Sequence, residues 1–183
     1  MNENNSLSHV WIILAIIVLI VIIMVIVWFD VGYTLGLNNC DLEILNLRYW
    51  VKPRVNSKHR VVISLTTIPD RIKLLRPTIV SLLSQSHRVD AIKLNLPYYS
   101  SKGKPYIIPK WLKQLNSIQL VRVNCDDGPA TKLLPTLRNV ENENTRIIVV
   151  DDDVIYGHYL IKNLIDTFER LNKHGKVAVT TVV

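Results

Sequence analysis

Four short runs dominate the last two-thirds of the chain: "RVVISL" (Arg60–Leu65), "AIKLNL" (Ala91–Leu96), "IQLVRV" (Ile118–Val123) and "RIIVV" (Arg146–Val150). Each is largely apolar and is separated from the next by a turn and a stretch of helical character. This alternation constrains the fold more than any other feature. "RVVISL" reads as a strand buried on both faces, "IQLVRV" alternates as a strand does, and strands that alternate with helices join as parallel crossovers. The sequence therefore predicts an α/β domain with a mostly parallel sheet flanked by helices.

The connecting segments support this. After the first strand Leu75, Ile79, Leu82 and Leu83 form one helical stripe, with Pro77 tolerable only in the first turn. A short amphipathic piece is expected at Trp111–Leu115, and "DDGPATKLLPTL" turns into a helix after the third strand. "HYLIKNLIDTFERL" puts Leu160, Leu164, Phe168 and Leu171 on one side of a further helix, and "KVAVTTVV" reads as a last strand.

Ahead of the domain, Val10–Phe29 carries no charge, no Pro and no Gly. As a helix of about 20 residues it spans roughly 30 Å, the hydrocarbon core of a bilayer, and it reads as one transmembrane helix. A cleaved signal peptide would need a basic leader, whereas among residues 1–9 the charged side chain is Glu3. Every Lys and Arg follows this run, beginning with Arg48, which favours a cytosolic body; a lumenal, Golgi- or ER-like orientation is the alternative. The expected organisation is a tail at 1–9, a single-pass span at 10–29, a stem or linker at 30–59 containing Gly32, Gly36 and Pro53, and a domain at 60–183.

The formal net charge of +7 suits anionic partners such as nucleotide diphosphates or lipid headgroups. No block of basic residues interleaved with aromatics stands out, so nucleic acid is not expected as a partner. Cys40 and Cys125 make neither a disulfide framework nor a zinc pattern, and the histidines show no ligand spacing. Ser81, Ser84 and Ser86 lack the glycine pattern of a nucleophile elbow.

In open α/β sheets ligands bind beyond the carboxyl ends of the strands. By that rule "TTIPDR" (Thr66–Arg71), "CDDGPATK" (Cys125–Lys132) and Asp151, Asp152 and Asp153 should share one rim. Three adjacent carboxylates repel one another, and a hard divalent cation held by one or two of them with substrate phosphates removes that repulsion; a solvated acidic turn is the plainer alternative. Thr66 and Thr67 offer hydroxyls, and Arg71 a phosphate-facing fork or, equally, a side chain of a turn set by Pro69 and Asp70. "GPATK" offers free N–H groups, the hydroxyl of Thr131 and the ammonium of Lys132 to an anion, or is simply a helix start.

With these residues in place, "VVISLTTIPDR", "IVSLLSQS" and "AIKLNLP" resemble the opening of GT-A glycosyltransferases similar to family 2, and "IIVVDDDVIY" resembles their DxD element. The resemblance runs from about Arg60 to the last residue. It implies a Rossmann-like GT-A donor half that binds a nucleotide-diphosphate sugar with Mn²⁺ or Mg²⁺. On this likeness Asp153 is the metal ligand, and Asp151 holds the ribose or assists the metal. Asp152 lies between them, Thr66 and Thr67 line the nucleoside pocket, and Lys132 stands where a basic side chain approaches the donor. The second strand ends in "LNLPYY", where many relatives have a base-recognising Asp. The family's acceptor half and catalytic carboxylate lie well beyond the DxD element, so 60–183 reads as a truncated donor-binding half with no catalytic base; the acceptor, whether glycan, protein or lipid, is left open. The rival expectation is a non-catalytic, membrane-tethered scaffold or binding module.

Overall fold

The computed structural model describes residues 11–27, 41–139 and 144–171. Within it β1 (Arg60–Thr66), β2 (Ala91–Pro97), β3 (Ile118–Val123) and β4 (Thr145–Val149) form one sheet in the order β3-β2-β1-β4, with every neighbouring pair parallel. The expected α/β class, with a parallel sheet flanked by helices, is what the chain adopts. The expected strand at "KVAVTTVV" lies outside the described residues.

The apolar runs explain the order. β1 and β2 are buried along almost their whole length, and these two most uniformly apolar strands take the centre. β3 and β4 are only half-buried, as outer strands of the described sheet. Val149, the last residue of β4, is exposed, and Val150, just past it, is buried. An apolar run marks a strand but does not say how much of it neighbours cover.

Residues 11–27 are helical (α1) and belong to a separate unit. At 1.5 Å per residue this helix is about 26 Å long. Val10, Trp28 and Phe29, the ends of the expected span, lie outside the described residues, and no described helix is long and apolar enough to cross a membrane.

The stretch expected to be a stem holds instead α2 (Leu42–Val51), which belongs to the sheet-bearing unit. Asp41 caps it by accepting from the N–H groups of Glu43 (2.9 Å) and Ile44 (3.3 Å), and Leu42, Asn46 and Tyr49 turn one face inward. The Tyr49 hydroxyl accepts from the N–H of Val89 at 3.1 Å, and burial, the largest effect on it, pushes its pKa up to about 12. Lys52 then donates to the carbonyls of Leu83 and Gln85, at 2.7 and 2.8 Å.

α3 (Arg76–Leu83) forms as its stripe demands, with Pro77 in the first turn and Ile79, Leu82 and Leu83 fully buried. α4 (Lys110–Lys113) is the short amphipathic piece. "DDGPATKLLPTL" becomes a 3₁₀ turn (Gly128–Lys132) and a short α5 (Leu134–Arg138), because Pro129 and Pro135 permit helix starts but interrupt one continuous ladder. In α6 (Leu160–Leu171) the buried pair is Ile161 and Ile165, while Leu171 is exposed, so the packed face is rotated from the expected Leu160–Leu164–Phe168–Leu171 line.

A fork of Arg54 on Asp90 (2.7 and 2.8 Å) closes the entry to β1, helped by the Val61 N–H at 2.7 Å. Burial pushes the Asp90 carboxyl up, but these bonds outweigh it and hold its pKa below the ordinary value. A depressed folded-state pKa stabilises above the unfolded value and loses that stabilisation as pH falls through the folded one. Asp90→Asn should therefore cost about 1 kcal/mol near neutrality, and the gap from the native chain should close when urea unfolding is repeated at a pH below the aspartate range.

Candidate functional site

The chain runs outward from β1 to β2 and β3 and then returns to the other side of β1 as β4. The sheet therefore changes direction between β1 and β4, and their carboxyl ends open the crevice that such a switch point creates. A cleft of about 600 Å³ lies there. Its walls include Thr66, Thr67 and Arg71 after β1, Lys132 from the 3₁₀ turn, and Asp151, Asp152 and Asp153 after β4.

The three carboxylates are not equivalent. Asp152 is buried, accepting from the Thr67 hydroxyl at 2.5 Å and from Arg71 Nη2 at 2.8 Å. Asp151 and Asp153 have side chains more than half exposed. Asp151 pairs with Lys132 Nζ at 2.6 Å and Asp153 with Arg71 Nη1 at 2.8 Å. The mutual repulsion of the triplet is thus offset by one guanidinium and one ammonium. The middle carboxylate, given the least definite role by sequence, joins the ends of β1 and β4.

The turn is fixed from behind by α3. The Thr78 hydroxyl donates to the carbonyl of Asp152 at 2.8 Å, and the Asp151 N–H donates to the Tyr156 hydroxyl at 2.7 Å. The Tyr156 N–H in turn reaches the Ser81 hydroxyl at 3.0 Å. Burial chiefly, with the nearby carboxylates, raises the Tyr156 pKa, so the phenol stays protonated. Gln85, the glutamine of "SLLSQ", is buried, donates to the carbonyls of Ser81 and Gly157, and accepts from the N–H of Ile161 at 3.2 Å. It staples the segment after the carboxylates to α3. Tyr156→Phe leaves the Asp151 N–H without this acceptor. It should cost about 1–2 kcal/mol in urea unfolding and hasten hydrogen exchange at that amide.

The "GPATK" turn differs from its expectation. Thr131 is buried, and its hydroxyl serves Asp126 (3.3 Å) and the N–H of Asp127 (2.9 Å) rather than the cleft. The Gly128 N–H is taken by Asp126 at 3.0 Å, so the turn does not present free N–H groups to an anion; Lys132 alone of this motif meets the carboxylates. The hydroxyl of Thr66 likewise turns to the carbonyl of Asn95 at 2.7 Å.

Sequence reasoning missed the opposite wall. The loop Ser100–Lys104 reaches the cleft, its Ser101 N–H bonded to Asp126 at 2.7 Å and Lys104 paired with Asp70. Tyr106 donates to the carbonyl of Thr67 at 3.0 Å, and burial, with Asp126 and Asp152 nearby, pushes its pKa up to about 12. The signal was the basic, Gly-containing loop, but nothing in one sequence says which way such a loop folds.

Among the described residues no group of three or more His, Cys, Asp or Glu side chains is arranged to hold a metal ion. Magnesium-like ions use one or two carboxylates together with substrate phosphates, so the relevant test is the donor set. Asp151 and Asp153 are hard oxygen donors open to the cleft. The basic lining residues Arg71, Lys102, Lys104 and Lys132 are outnumbered by Asp70, Asp126 and the triplet. The lining thus carries one more carboxylate than basic side chains. Asp166 and Glu169, the later carboxylates on α6, are engaged by Lys162 and Arg146. Compared with protein families, with curated proteins and with solved structures, the chain matches none.

Proposed function

We propose that this cleft binds a nucleoside diphosphate or nucleotide-sugar together with Mn²⁺ or Mg²⁺, as the donor half of a GT-A-like glycosyltransferase. We also propose that residues 10–29 tether it to a membrane with its body on the cytosolic side. The observation that carries the donor reading is the meeting of Thr67, Arg71, Lys132 and the Asp triplet in one cleft at the switch point of a parallel sheet. Asp151 and Asp153 would hold the cation, which supplies Lewis-acid stabilisation of charge on a leaving diphosphate. Arg71 and Lys132 would then pass from the carboxylates to phosphate oxygens. The Nε of Arg71, buried without a partner, shows that the guanidinium is not fully satisfied where it stands. Asp152 keeps the two rims together, and Thr67 orients it.

Titration calorimetry of the full chain in nanodiscs with UDP or GDP tests this. Binding should require Mn²⁺ or Mg²⁺, and Asp153→Asn should weaken it by at least about tenfold without lowering the melting temperature. Absence of metal-dependent binding to any nucleoside diphosphate would overturn the proposal. One observation favours the rival, a non-catalytic tethered module: every member of the triplet already has a cation partner within the protein. That reading expects no ligand heat in the native chain or in Asp153→Asn.

A further inference from the structure

α2 is apolar on both sides. Leu42, Asn46 and Tyr49 face the domain, while Ile44, Leu47 and Val51 follow at spacings of three and four on the opposite face and are 47%, 71% and 83% exposed. Helices of globular domains that meet water are polar on that side, and one that is hydrophobic all round is covered by something. Trp50, about half exposed, Arg48, in the last turn, and Glu43, in the first turn, flank the stripe. An apolar line with an aromatic edge and a basic side chain is the composition of a segment lying at the level of lipid headgroups.

From this we infer that the Ile44–Leu47–Val51 face of α2 rests in the headgroup and acyl boundary of the bilayer, holding the domain down on the membrane surface. The inference rests on the proposed tether. About 14 residues separate Val27 from Leu42, a contour length of at most about 50 Å, so an anchored chain keeps α2 within reach of the lipid surface. A second copy of the chain fits less well. A helix of 10 residues is about 15 Å long and offers on the order of 150 Å², against roughly 800 Å² per partner in a stable protein interface. Lipid has no such minimum, and the net charge of +7 favours an anionic surface.

The test uses the full chain carrying Cys40→Ser and Cys125→Ser, reconstituted in phosphatidylcholine and phosphatidylglycerol vesicles. Spin labels are placed singly through Leu47→Cys, Val51→Cys, Val18→Cys and Leu137→Cys. Leu47, Val51 and Leu137 are all exposed side chains, so labelling them removes no core packing. Collisions with a water-soluble nickel chelate should be at least about threefold rarer at 47 and 51 than at 137, with oxygen access retained, as for a helix sunk in the interface. Labels at 47 and 51 as open to nickel as 137, with 18 in lipid, would overturn this inference and leave the tether standing. A label at 18 open to nickel would overturn both. Loss of nickel and oxygen access together at 47 and 51, with dipolar broadening between labels, would assign the face to a second copy instead.

Discussion

Replacing Asn95 by Ala is expected to destabilise the domain by about 3–4 kcal/mol, although the residue does not line the cleft. Asn95, Ser64 and Thr136 are all essentially inaccessible to solvent beneath the cleft. Ser64 donates its one hydroxyl hydrogen to the carbonyl of Lys132 at 2.6 Å, so in its 2.6 Å contact with Thr136 the threonine must be the donor. The Asn95 amide then donates to both hydroxyl oxygens, each at 3.1 Å. Truncating it strips a donor from two buried oxygens and opens a cavity between β2 and α5. Urea unfolding should show the midpoint fall with an unchanged slope, as for a loss of stability without loss of cooperativity. A change below 1 kcal/mol would mean the network is not the support described. Because the same network holds the backbone of Lys132, the proposed nucleotide binding should weaken in this variant too.

Asp152→Ala is expected to cost about 3 kcal/mol, less than a fully enclosed ion pair because Arg71 is 42% exposed. For a domain of this size that corresponds to a melting temperature lower by roughly 6–12 °C. Asp153→Ala, removing a side chain that is 58% exposed, should change stability by no more than about 1 kcal/mol. The two adjacent aspartates thus separate by thermal unfolding, one sensitive and one indifferent. Equal effects would show that the triplet behaves as one solvated turn.

The rim was legible in the sequence because strand periodicity and the location of turns are local properties. "RVVISL" read as a strand buried on both faces, Pro77 was tolerable only in a first helical turn, and the carboxyl-end rule brought Thr67, Lys132 and the triplet together. The inward turn of Asp152 was not legible, since it depends on Thr67 and Arg71 arriving from another strand. α2 escaped notice because apolar residues on both faces leave no helical period to detect. In α6 Leu160, Ile161, Leu164 and Ile165 make a broad apolar arc, and the bond from Ile161 to Gln85 selects which part of it is buried. The loop with Tyr106 is placed by partners distant in sequence, Thr67 and Asp126.

The parallel pairing of β1 with β4 has a consequence for assembly in time. Thr67 and Asp152, which close the cleft, are 85 positions apart. Their union must await all the intervening polypeptide, a late and entropically costly closure compared with the helical turns and the shorter β1–β2 and β2–β3 crossovers that precede it. On the ribosome, β1 leaves the exit tunnel long before β4, with one hydrogen-bonding edge bare until that strand emerges. The proposed ligand site therefore waits for β4, and any nascent product halted before Thr145 lacks the Asp triplet and carries an unpaired β1 edge.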